Sequence, residues 1–392
     1  MVHDVDLAEE IAQEALVSAL ERWPETGVPE NPGAWLMATA KHRAIDELRR
    51  ARRVQAKHEA IAHEFDAVTM PSFDEDLDDD VGDDLLRLVF VACHPVLPRE
   101  GQVAMTLRLL GGLSTAEIAR AFLVPQTTIQ QRIVRAKQTL AEKQIPFEVP
   151  RAEDLGPRVA AVLEVVYLVF NEGYSATAGE DWMRPALCED ALRLGRVLSE
   201  LVPANPDVHA LVALMEIQAS RTAARAGPGG EPVLMLEQDR SLWEHDRIAR
   251  GLSALVRAEK IAPEPTAYVI QAQIAACHAR AKAAADTDWA RIAALYEALG
   301  RVMPGPVVDL NRAVALGMAF GPAAGLELID AIAEDPALAG YHLLPAVRGD
   351  LLAKLGCFEA ARIELERAAK LTQNERERAM LLARARACTR QS

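Results

Sequence analysis

The residues with the clearest capacity for molecular recognition lie between positions 126 and 137. Polar side chains able to hydrogen-bond to base edges come first: Gln126, Thr127, Thr128, Gln130 and Gln131. A glutamine amide pairs bidentately with adenine in the major groove of DNA. Cations able to bind phosphates come next: Arg132, Arg135 and Lys137. A DNA recognition helix needs this order, because its N-terminal end reaches the bases and its later turns reach the backbone.

A helix-turn-helix from Leu113 to Leu140 would position these side chains. Gly111-Gly112 interrupts the preceding helix, and Ser114 and Glu117 have the spacing of a capping box, in which each side chain accepts a hydrogen bond from the other residue's backbone. Leu123-Val124-Pro125 is then the turn, and the second helix begins directly after it. The alternative is an ordinary helical hairpin with a polar outer face.

A second concentration of cations lies in a helix that begins near Asn31. Asn31 is a natural N-cap with Pro32 at the first helical position, which predicts a helix to about Arg53. Its side chains suited to a phosphate track are Lys41, His42, Arg43, Arg49, Arg50 and Arg53. Such a row of cations suits a nucleic-acid backbone, and a solvated basic face is the alternative.

The first predicted helix runs from about Asp4 to Trp23 and has two contrasting faces. Apolar residues at helical spacing form one broad stripe: Leu7, Ile11, Ala12, Ala15, Leu16, Ala19, Leu20 and Trp23. The other face carries acids and an amide: Glu9, Glu10, Gln13 and Glu14. That face is either a solvated surface or a docking face for a basic partner helix. A loop with Pro24, Gly27 and Pro29 is expected to follow.

Composition limits the classes of protein that fit. The chain has 392 residues, 50% of them hydrophobic and 5% aromatic, and apolar residues recur at helical spacing, which predicts an all-α fold with two to four domains. A net charge of -14 argues against a surface that binds nucleic acid throughout. The acidic N-terminus and the lack of a long apolar run predict a cytoplasmic protein without a membrane span. Five scattered cysteines indicate neither a disulfide framework nor a metal site: Cys93, Cys188, Cys277, Cys357 and Cys388.

The charge pattern divides the chain into four parts. Residues 64–84 carry many acids and no Lys or Arg, which is typical of a self-repelling, disordered linker. The predicted parts are therefore a helical segment over 1–57, an acidic flexible linker over 58–84, the helix-turn-helix domain over 85–145 and a helical remainder over 150–392. Pro146 and Pro150 mark the last boundary.

Together these residues resemble bacterial sigma factors of the extracytoplasmic-function group, a sigma-70 type, that carry a C-terminal tetratricopeptide-like extension. The stretch from Asp6-Leu7-Ala8-Glu9-Glu10 to Gln13-Glu14-Ala15 resembles the region-two helix that docks on the polymerase clamp. That resemblance implies polymerase contacts by Asp6, Glu9, Glu10, Gln13 and Glu14. Trp35-Leu36 through Arg43 to Arg49-Arg50 resembles the helix that acts at the melting edge of the promoter, which adds Trp35 to the DNA-binding residues. Leu113 to Leu140 resembles region four.

The resemblance implies two partners, core RNA polymerase and promoter DNA. Region four would read the minus-35 element as a duplex. The loop from Pro24 to Gly33 would hold a flipped base of the minus-10 element, and base extrusion costs a few kcal/mol, so nearby cations are physically sensible there. The family normally has another region-two helix before the position where this sequence starts, so the resemblance implies an N-terminally short region two.

The C-terminal part predicts a succession of helices with short connections: Leu155–Phe170, Met183–Leu201, Asp207–Ala226, Asp239–Lys260, Thr266–Lys282 and Trp289–Met303. Leu355 to Ala368 resembles a tetratricopeptide unit, in which Gly and Ala permit close helix pairing. The block from Phe170 to Trp182 is either a contact to the sigma domains or an inter-helix loop. Glu172, Glu180 and Asp181 occur there without a nucleophile, a phosphate loop or a ligand cluster, so no enzyme and no cofactor is expected.

The function predicted from these observations is that of a sigma factor whose extension regulates it in cis through contacts with the sigma domains. A fused extension has a high effective concentration at its target, which suits such regulation. The alternative is a helical-repeat scaffold for protein interactions, with an attached DNA-binding helix-turn-helix and no polymerase role.

Overall fold

The computed structural model describes residues 5–29, 32–33, 35–36, 39–40, 43, 87–111, 113–122, 124–150, 152–176 and 178–390. The predicted acidic linker over 58–84 therefore lies outside the described residues. Contacts divide the chain into two compact units, one of Met1–Leu109 with Gln130–Arg158 and one of Leu110–Ile129 with Val159–Ser392. Within the described residues no helix is long and apolar enough to cross a membrane.

Helices before residue 150 begin with α1, which spans Val5–Thr26. Residues 87–92 are helical as well. The three helices that follow are α2 (Arg99–Leu109), α3 (Thr115–Ala121) and α4 (Gln126–Glu142). The helix-turn-helix predicted over 113–140 is thus α3, a turn and α4, with the second helix starting at Gln126.

Helix α1 differs from its prediction in two respects. Ile11, Ala15 and Ala19 are buried, but Leu16 and Leu20 are 53% and 76% exposed, so the buried stripe is narrower than predicted. The helix also continues through Pro24 to Thr26 instead of ending at Trp23. A proline here interrupts few helical hydrogen bonds because the last turn is close, and the chain leaves the helix only at Gly27, whose φ is 82°.

The extension is a series of helices, and the all-α prediction is confirmed. Its helices are α5 (Ala152–Tyr174), α6 (Pro185–Leu201), α7 (Pro206–Ala219), α8 (His245–Ile261), α9 (Ala267–Arg280), α10 (Trp289–Val302), α11 (Pro306–Phe320), α12 (Pro322–Ile332), α13 (Leu343–Lys354), α14 (Phe358–Leu371) and α15 (Glu375–Thr389). Short 3-10 turns lie at Thr222–Arg225, Arg240–Leu242, Ala284–Asp286 and Pro336–Leu338.

Two predicted helix boundaries in the extension are wrong. The helix expected to reach Ala226 ends at Ala219, and the helix expected from Asp239 begins at His245. Asp239 instead caps the 3-10 turn that follows it, because its carboxylate accepts a hydrogen bond from the backbone of Ser241 at 2.9 Å. Asp239 therefore does cap a helix, but the helix that it caps is a single 3-10 turn and not the longer α-helix.

Close pairing of helices stabilises the later part of the extension. A Cβ on Gly325 of α12 would lie 2.5 Å from the carbonyl oxygen of Ala313 on α11. A Cβ on Gly349 of α13 would lie 3.1 Å from the carbonyl oxygen of Ala361 on α14. These two glycines permit the close helix pairing, whereas Gly356, the glycine of the unit predicted over Leu355 to Ala368, has open space around it and a φ of 79°.

The beginning and the end of the extension are joined by a short parallel pairing. Strand β1 (Ala178–Gly179) pairs with β2 (Gln373–Asn374). The buried Asn374 side chain donates hydrogen bonds to the carbonyl oxygens of Ala176, at 3.3 Å, and Asp181, at 3.0 Å. The segment after α5 is therefore held by the segment before α15, although almost 200 residues separate them in sequence.

Candidate nucleic-acid interface

The capping box that begins α3 is formed as predicted. The backbone N–H of Ser114 donates to Glu117 Oε2 at 2.8 Å, and the backbone N–H of Glu117 donates to Ser114 Oγ at 3.2 Å. These two bonds satisfy donors that a helix start otherwise leaves without partners. The reciprocal pair thus determines where α3 begins.

The turn between α3 and α4 is closed by backbone hydrogen bonds. Val124 donates to the carbonyl of Ala119 at 3.0 Å, and Thr128 donates to the carbonyl of Pro125 at 2.9 Å. The Gln126 side chain donates from Nε2 to Thr115 Oγ1 at 3.2 Å. Gln126, a predicted base-reading residue, therefore also connects the start of α4 to the start of α3.

Helix α4 separates a buried face from a polar one. Its buried residues recur at helical spacing: Ile129, Ile133, Ala136 and Leu140. Of the predicted base readers, Gln126, Thr127, Gln130 and Gln131 are exposed and Thr128 is partly buried. An exposed row of amides and hydroxyls at the N-terminal end of a helix is the surface that major-groove reading requires.

The predicted phosphate-binding cations lie further along α4. Arg135 is exposed, whereas Arg132 and Lys137 are partly buried. Arg132 and Arg135 line a surface groove of about 490 Å³ between the start of α2 and the C-terminal half of α4, together with Glu100 and Glu142. Arg132 and Arg135 are three residues apart on α4, so both lie on the face of the helix that borders this groove.

The residues of the first segment form a smaller assembly around α1. Arg43 Nη1 forms an ion pair with Glu14, and Arg43 Nη2 donates to Ser18 Oγ at 2.8 Å. A predicted DNA-binding cation and a predicted polymerase-binding acid thus bind each other. Trp35 packs edge-on against Trp23, with ring centroids 5.5 Å apart.

The remaining predicted residues of this segment lie on α1 or in the stretch from Lys41 to Arg53. Gln13 is exposed on α1. Asp6, Glu9 and Glu10 belong to α1, but their side chains lie outside the described part of the structure. Also outside the described residues are Lys41, His42, Arg49, Arg50 and Arg53.

Cys93 and His94 precede α2, and both side chains are neutral at physiological pH. Cys93 Sγ lies 3.2 Å from Thr106 Oγ1, and burial raises the pKa of this thiol to about 11. His94 Nδ1 accepts a hydrogen bond from the backbone of Val96 at 3.1 Å, and burial together with Arg158 lowers its pKa to about 4. Among the described residues, no group of three or more His, Cys, Asp or Glu is placed to hold a metal ion.

A contact that sequence reasoning missed involves Arg193 on α6. Its Nη2 donates to the carbonyl oxygens of Leu110 and Gly111, each at 3.0 Å. These carbonyls directly follow α2, at the place where a helix leaves acceptors without partners. On the same helix, burial raises the pKa of Asp190, and the nearby Glu117 raises it further, while Arg193 lowers it. No sequence pattern around an arginine on a helix indicates that it will contact a backbone about 80 residues away.

Comparisons with known families match three parts of the chain. Residues 1–54 match Sigma-70 region 2, and residues 87–140 match Sigma-70, region 4. Residues 158–259 match a family of unknown function, DUF6596. Among curated proteins, the chain is 43% identical over 383 residues to an uncharacterized protein of Rhizobium meliloti (strain 1021), R00370. That alignment covers 96% of this chain and 89% of the relative.

Proposed function

Two parts of the chain match regions two and four of the sigma-70 family, and we propose that the protein is a sigma factor of the extracytoplasmic-function type whose extension regulates it in cis. Sigma-70 regions two and four support binding to core RNA polymerase and to promoter DNA, and a role in promoter-directed transcription. The observation that carries the proposed DNA reading is the capped α3–α4 unit, whose Thr127, Gln130 and Gln131 are exposed at the N-terminal end of α4.

In this proposal α4 reads the minus-35 element as duplex DNA. Gln130 and Gln131 present amides to base edges, while Arg132, Arg135 and Lys137 bind flanking phosphates. Gln126 is a positioning residue as much as a reader, because its Nε2 donates to Thr115. The remaining oxygen of that amide is a hydrogen-bond acceptor, so we expect Gln126 to accept a hydrogen bond from a base or a water.

The proposed polymerase contact is made by α1. Gln13 and Glu14 are exposed there beside Leu16 and Leu20, whose apolar side chains are also exposed. Apolar residues with a polar rim are typical of a protein interface. Asp6, Glu9 and Glu10 are proposed to extend that interface, and the cations between Lys41 and Arg53 to contact the promoter near the site of strand separation.

The proposed regulation rests on the contact of Arg193 with the carbonyls of Leu110 and Gly111. These two residues connect α2 to the capped start of α3. A movement of α6 would therefore alter where the helix-turn-helix begins.

Arg193→Ala in the full chain removes both hydrogen bonds. We expect transcription from the cognate promoter to change at least threefold, with Arg301→Ala, a 68% exposed arginine on α10, as the matched control. Equal output from the two variants and the unaltered chain would contradict regulation through this contact.

Reconstitution with core RNA polymerase tests the main proposal. The full chain is expected to form a complex with core polymerase and to produce a promoter footprint that neither component produces alone. Gln130→Ala should weaken the footprint at the minus-35 element, whereas Gln138→Ala, an exposed glutamine two turns further along α4, should leave it unchanged. A chain that neither binds core polymerase nor changes the footprint would not be acting as a sigma factor.

A protein-interaction scaffold is the second candidate, favoured by the closely paired helices α11 to α14. Such a scaffold would bind a partner through the extension and DNA through α4 without polymerase. Pull-down with purified core polymerase separates the two proposals, because only the first expects a stoichiometric complex.

A further inference from the structure

Buried and partly buried arginines and aromatic rings form a cluster in the first half of the extension. We call it the arginine–aromatic cluster, and its members are Tyr174, Trp182, Arg221, Arg225, Arg240 and Trp243. All of them lie within residues 158–259, the part of the chain that matches the family of unknown function. Arg221 directly precedes the 3-10 turn after α7, and Arg225 is the last residue of that turn. Arg240 begins the next 3-10 turn. Local turns, not a continuous helix, thus bring these side chains together.

The guanidinium groups are stacked on the rings. Arg225 Cζ lies 3.4 Å from the ring centroid of Tyr174 and 4.4 Å from that of Trp182, so its guanidinium contacts both rings. Arg221 and Arg240 lie 5.6 Å and 4.5 Å from the ring centroid of Trp243. Arg221 is 8% exposed and Arg225 is 6% exposed. Cation–π contacts attract each cation to a ring, but they leave its positive charge in place.

No acid in the described part of the chain forms an ion pair with these arginines. Arg225 Nη1 donates to the carbonyl of Tyr174, and Arg221 donates to the hydroxyl of Tyr174 and to the sulfur of Met235. Arg240 Nη1 donates to the carbonyls of His278 and Ala281, both at 2.7 Å. All of these acceptors are neutral, although burying an unpaired charge is costly.

At two other places in the extension, arginines of the packed helices are paired with carboxylates. Arg196 and Arg250 both contact the buried carboxylate of Glu216, at 2.5 and 3.3 Å. Arg348 contacts Asp330 at 3.0 Å and Glu364 at 2.7 Å. The arginine–aromatic cluster departs from this pattern within the same fold.

The accumulated positive charge affects the groups around it. Burial and the neighbouring Arg221 lower the pKa of Arg225 to about 10, although Tyr174 opposes that change. Burial, Arg221 and Arg240 lower the pKa of His278 to about 4, so this histidine adds no positive charge at neutral pH. The acid Asp286 acts on Arg240 in the opposite direction, but it lies beyond ion-pair distance.

The arginine–aromatic cluster also contains buried hydrogen-bond donors that have no acceptor. The indole Nε1 atoms of Trp182 and Trp243 and the Nε of Arg240 are buried without a hydrogen-bond partner. Trp243 is only 4% exposed. Each of these three atoms carries a hydrogen and accepts nothing, so each of them lacks an acceptor. An oxyanion would supply acceptors and negative charge together.

We propose that the arginine–aromatic cluster binds a small oxyanion through a phosphate or carboxylate group. The planar guanidinium fork matches both groups bidentately, and the buried setting favours one small ligand over a large polyanion. The segment that carries Trp182 is also held by Asn374, through the carbonyl of Asp181. Ligand binding would therefore stabilise the junction between the two ends of the extension. The site does not depend on the proposed sigma function.

Thermal unfolding and calorimetry of the full chain test this proposal, with inorganic phosphate and succinate as separate probes. Chloride at matched ionic strength is the reference for both. We expect a saturable rise in Tm with at least one probe, because a ligand that binds only the folded state stabilises it in proportion to its occupancy. A rise with phosphate alone identifies a phosphate ligand, and a rise with succinate alone identifies a carboxylate.

Variants of Arg225 make the test specific. Arg225→Met removes the charge, and Arg225→Lys keeps the charge but loses the planar fork, so the second variant decides the outcome if the first does not fold. Both are expected to weaken binding at least tenfold, while Arg301→Met on α10 leaves it unchanged. The proposal is overturned if neither probe raises Tm above the chloride reference, or if Arg225→Lys binds as tightly as the unaltered chain.

Discussion

The arginines of α4 and those of the arginine–aromatic cluster carry the same charge in opposite surroundings. Arg135 is exposed beside an open groove, whereas Arg221 and Arg225 are more than nine-tenths buried among aromatic rings. An exposed cation keeps its hydration, costs little in the folded state and is screened by salt. A buried cation loses its hydration and must be compensated by neighbouring groups or by a ligand.

The difference shows that arginine content alone does not identify the ligand. A row of exposed cations along a helix suits a long polyanion such as DNA, which binds by releasing counterions. A compact group of cations buried among side chains suits one small anion, because a polymer cannot enter such a setting and salt screens a buried charge only weakly. The next four predictions test these two environments, from the largest expected effect to the smallest.

Replacing Trp243 by alanine is expected to have the largest effect on stability. This ring is 4% exposed and lies under both Arg221 and Arg240, so its loss leaves a cavity beside two buried cations. Truncation of a buried tryptophan costs about 3–5 kcal/mol of unfolding free energy. Urea denaturation would measure it. Phe320→Ala is the control, since Phe320 is 66% exposed and its variant should differ little from the unaltered chain.

Acid should destabilise the extension through His278. Burial, Arg221 and Arg240 lower the pKa of this histidine in the folded state to about 4, below the ordinary value of 6.5. The unfolded chain therefore binds a proton that the folded chain excludes between these values, and stability is lost as pH falls from 6.5 towards 4. Unfolding of the full chain followed over this range should show a smaller pH dependence in His278→Gln. An unchanged pH dependence in that variant would remove His278 as the cause.

Gln130→Ala and Arg135→Ala should separate base reading from phosphate binding on α4. Loss of the Gln130 amide is expected to reduce discrimination at one base pair by about 1–3 kcal/mol, because the amide is proposed to contact a base edge. Loss of Arg135 is expected to weaken binding to all sequences alike and to reduce the slope of log K against log salt by about 1. Binding of the polymerase complex to specific and random duplexes at several salt concentrations would measure both. Equal effects of the two variants on both duplexes would contradict the division of roles.

Ser114→Ala should have a smaller effect that is local to the helix-turn-helix. The substitution removes the acceptor for the backbone of Glu117, and loss of an N-cap costs about 0.5–2 kcal/mol. Hydrogen exchange of the α3 amides would detect the faster opening. Ser114→Asp keeps an acceptor at the N-cap and should retain most of the protection, which distinguishes capping from a general effect of substitution.

Local patterns were sufficient to predict the helix-turn-helix from the sequence. Ser114 and Glu117 bind each other across one helical turn, and amides precede cations along the helix that follows the turn. Both signals involve residues close together in sequence. The same reasoning overestimated the buried stripe of α1, because periodicity identifies an apolar face but not which of its residues another element covers.

Long-range contacts were beyond such reasoning. The hydrogen bonds of Arg193 to Leu110 and Gly111, of Asn374 to Asp181 and of Gln126 to Thr115 involve partners that no spacing rule connects. The pairing of Arg43 with Glu14 likewise joined two residues assigned to different surfaces. A side chain's partner depends on how helices pack, and packing is decided by the whole set of buried surfaces together.

The sequence by itself determined that this protein is helical, that α3 begins at a capping box and that α4 carries amides ahead of cations. These properties depend on residues within one or two turns of each other, where backbone geometry leaves few choices. Only the tertiary structure decided which arginines are exposed on α4 and which lie against Tyr174, Trp182 and Trp243. The physical reason is that an arginine's charge is a property of the residue, whereas its hydration and its neighbours are properties of the fold.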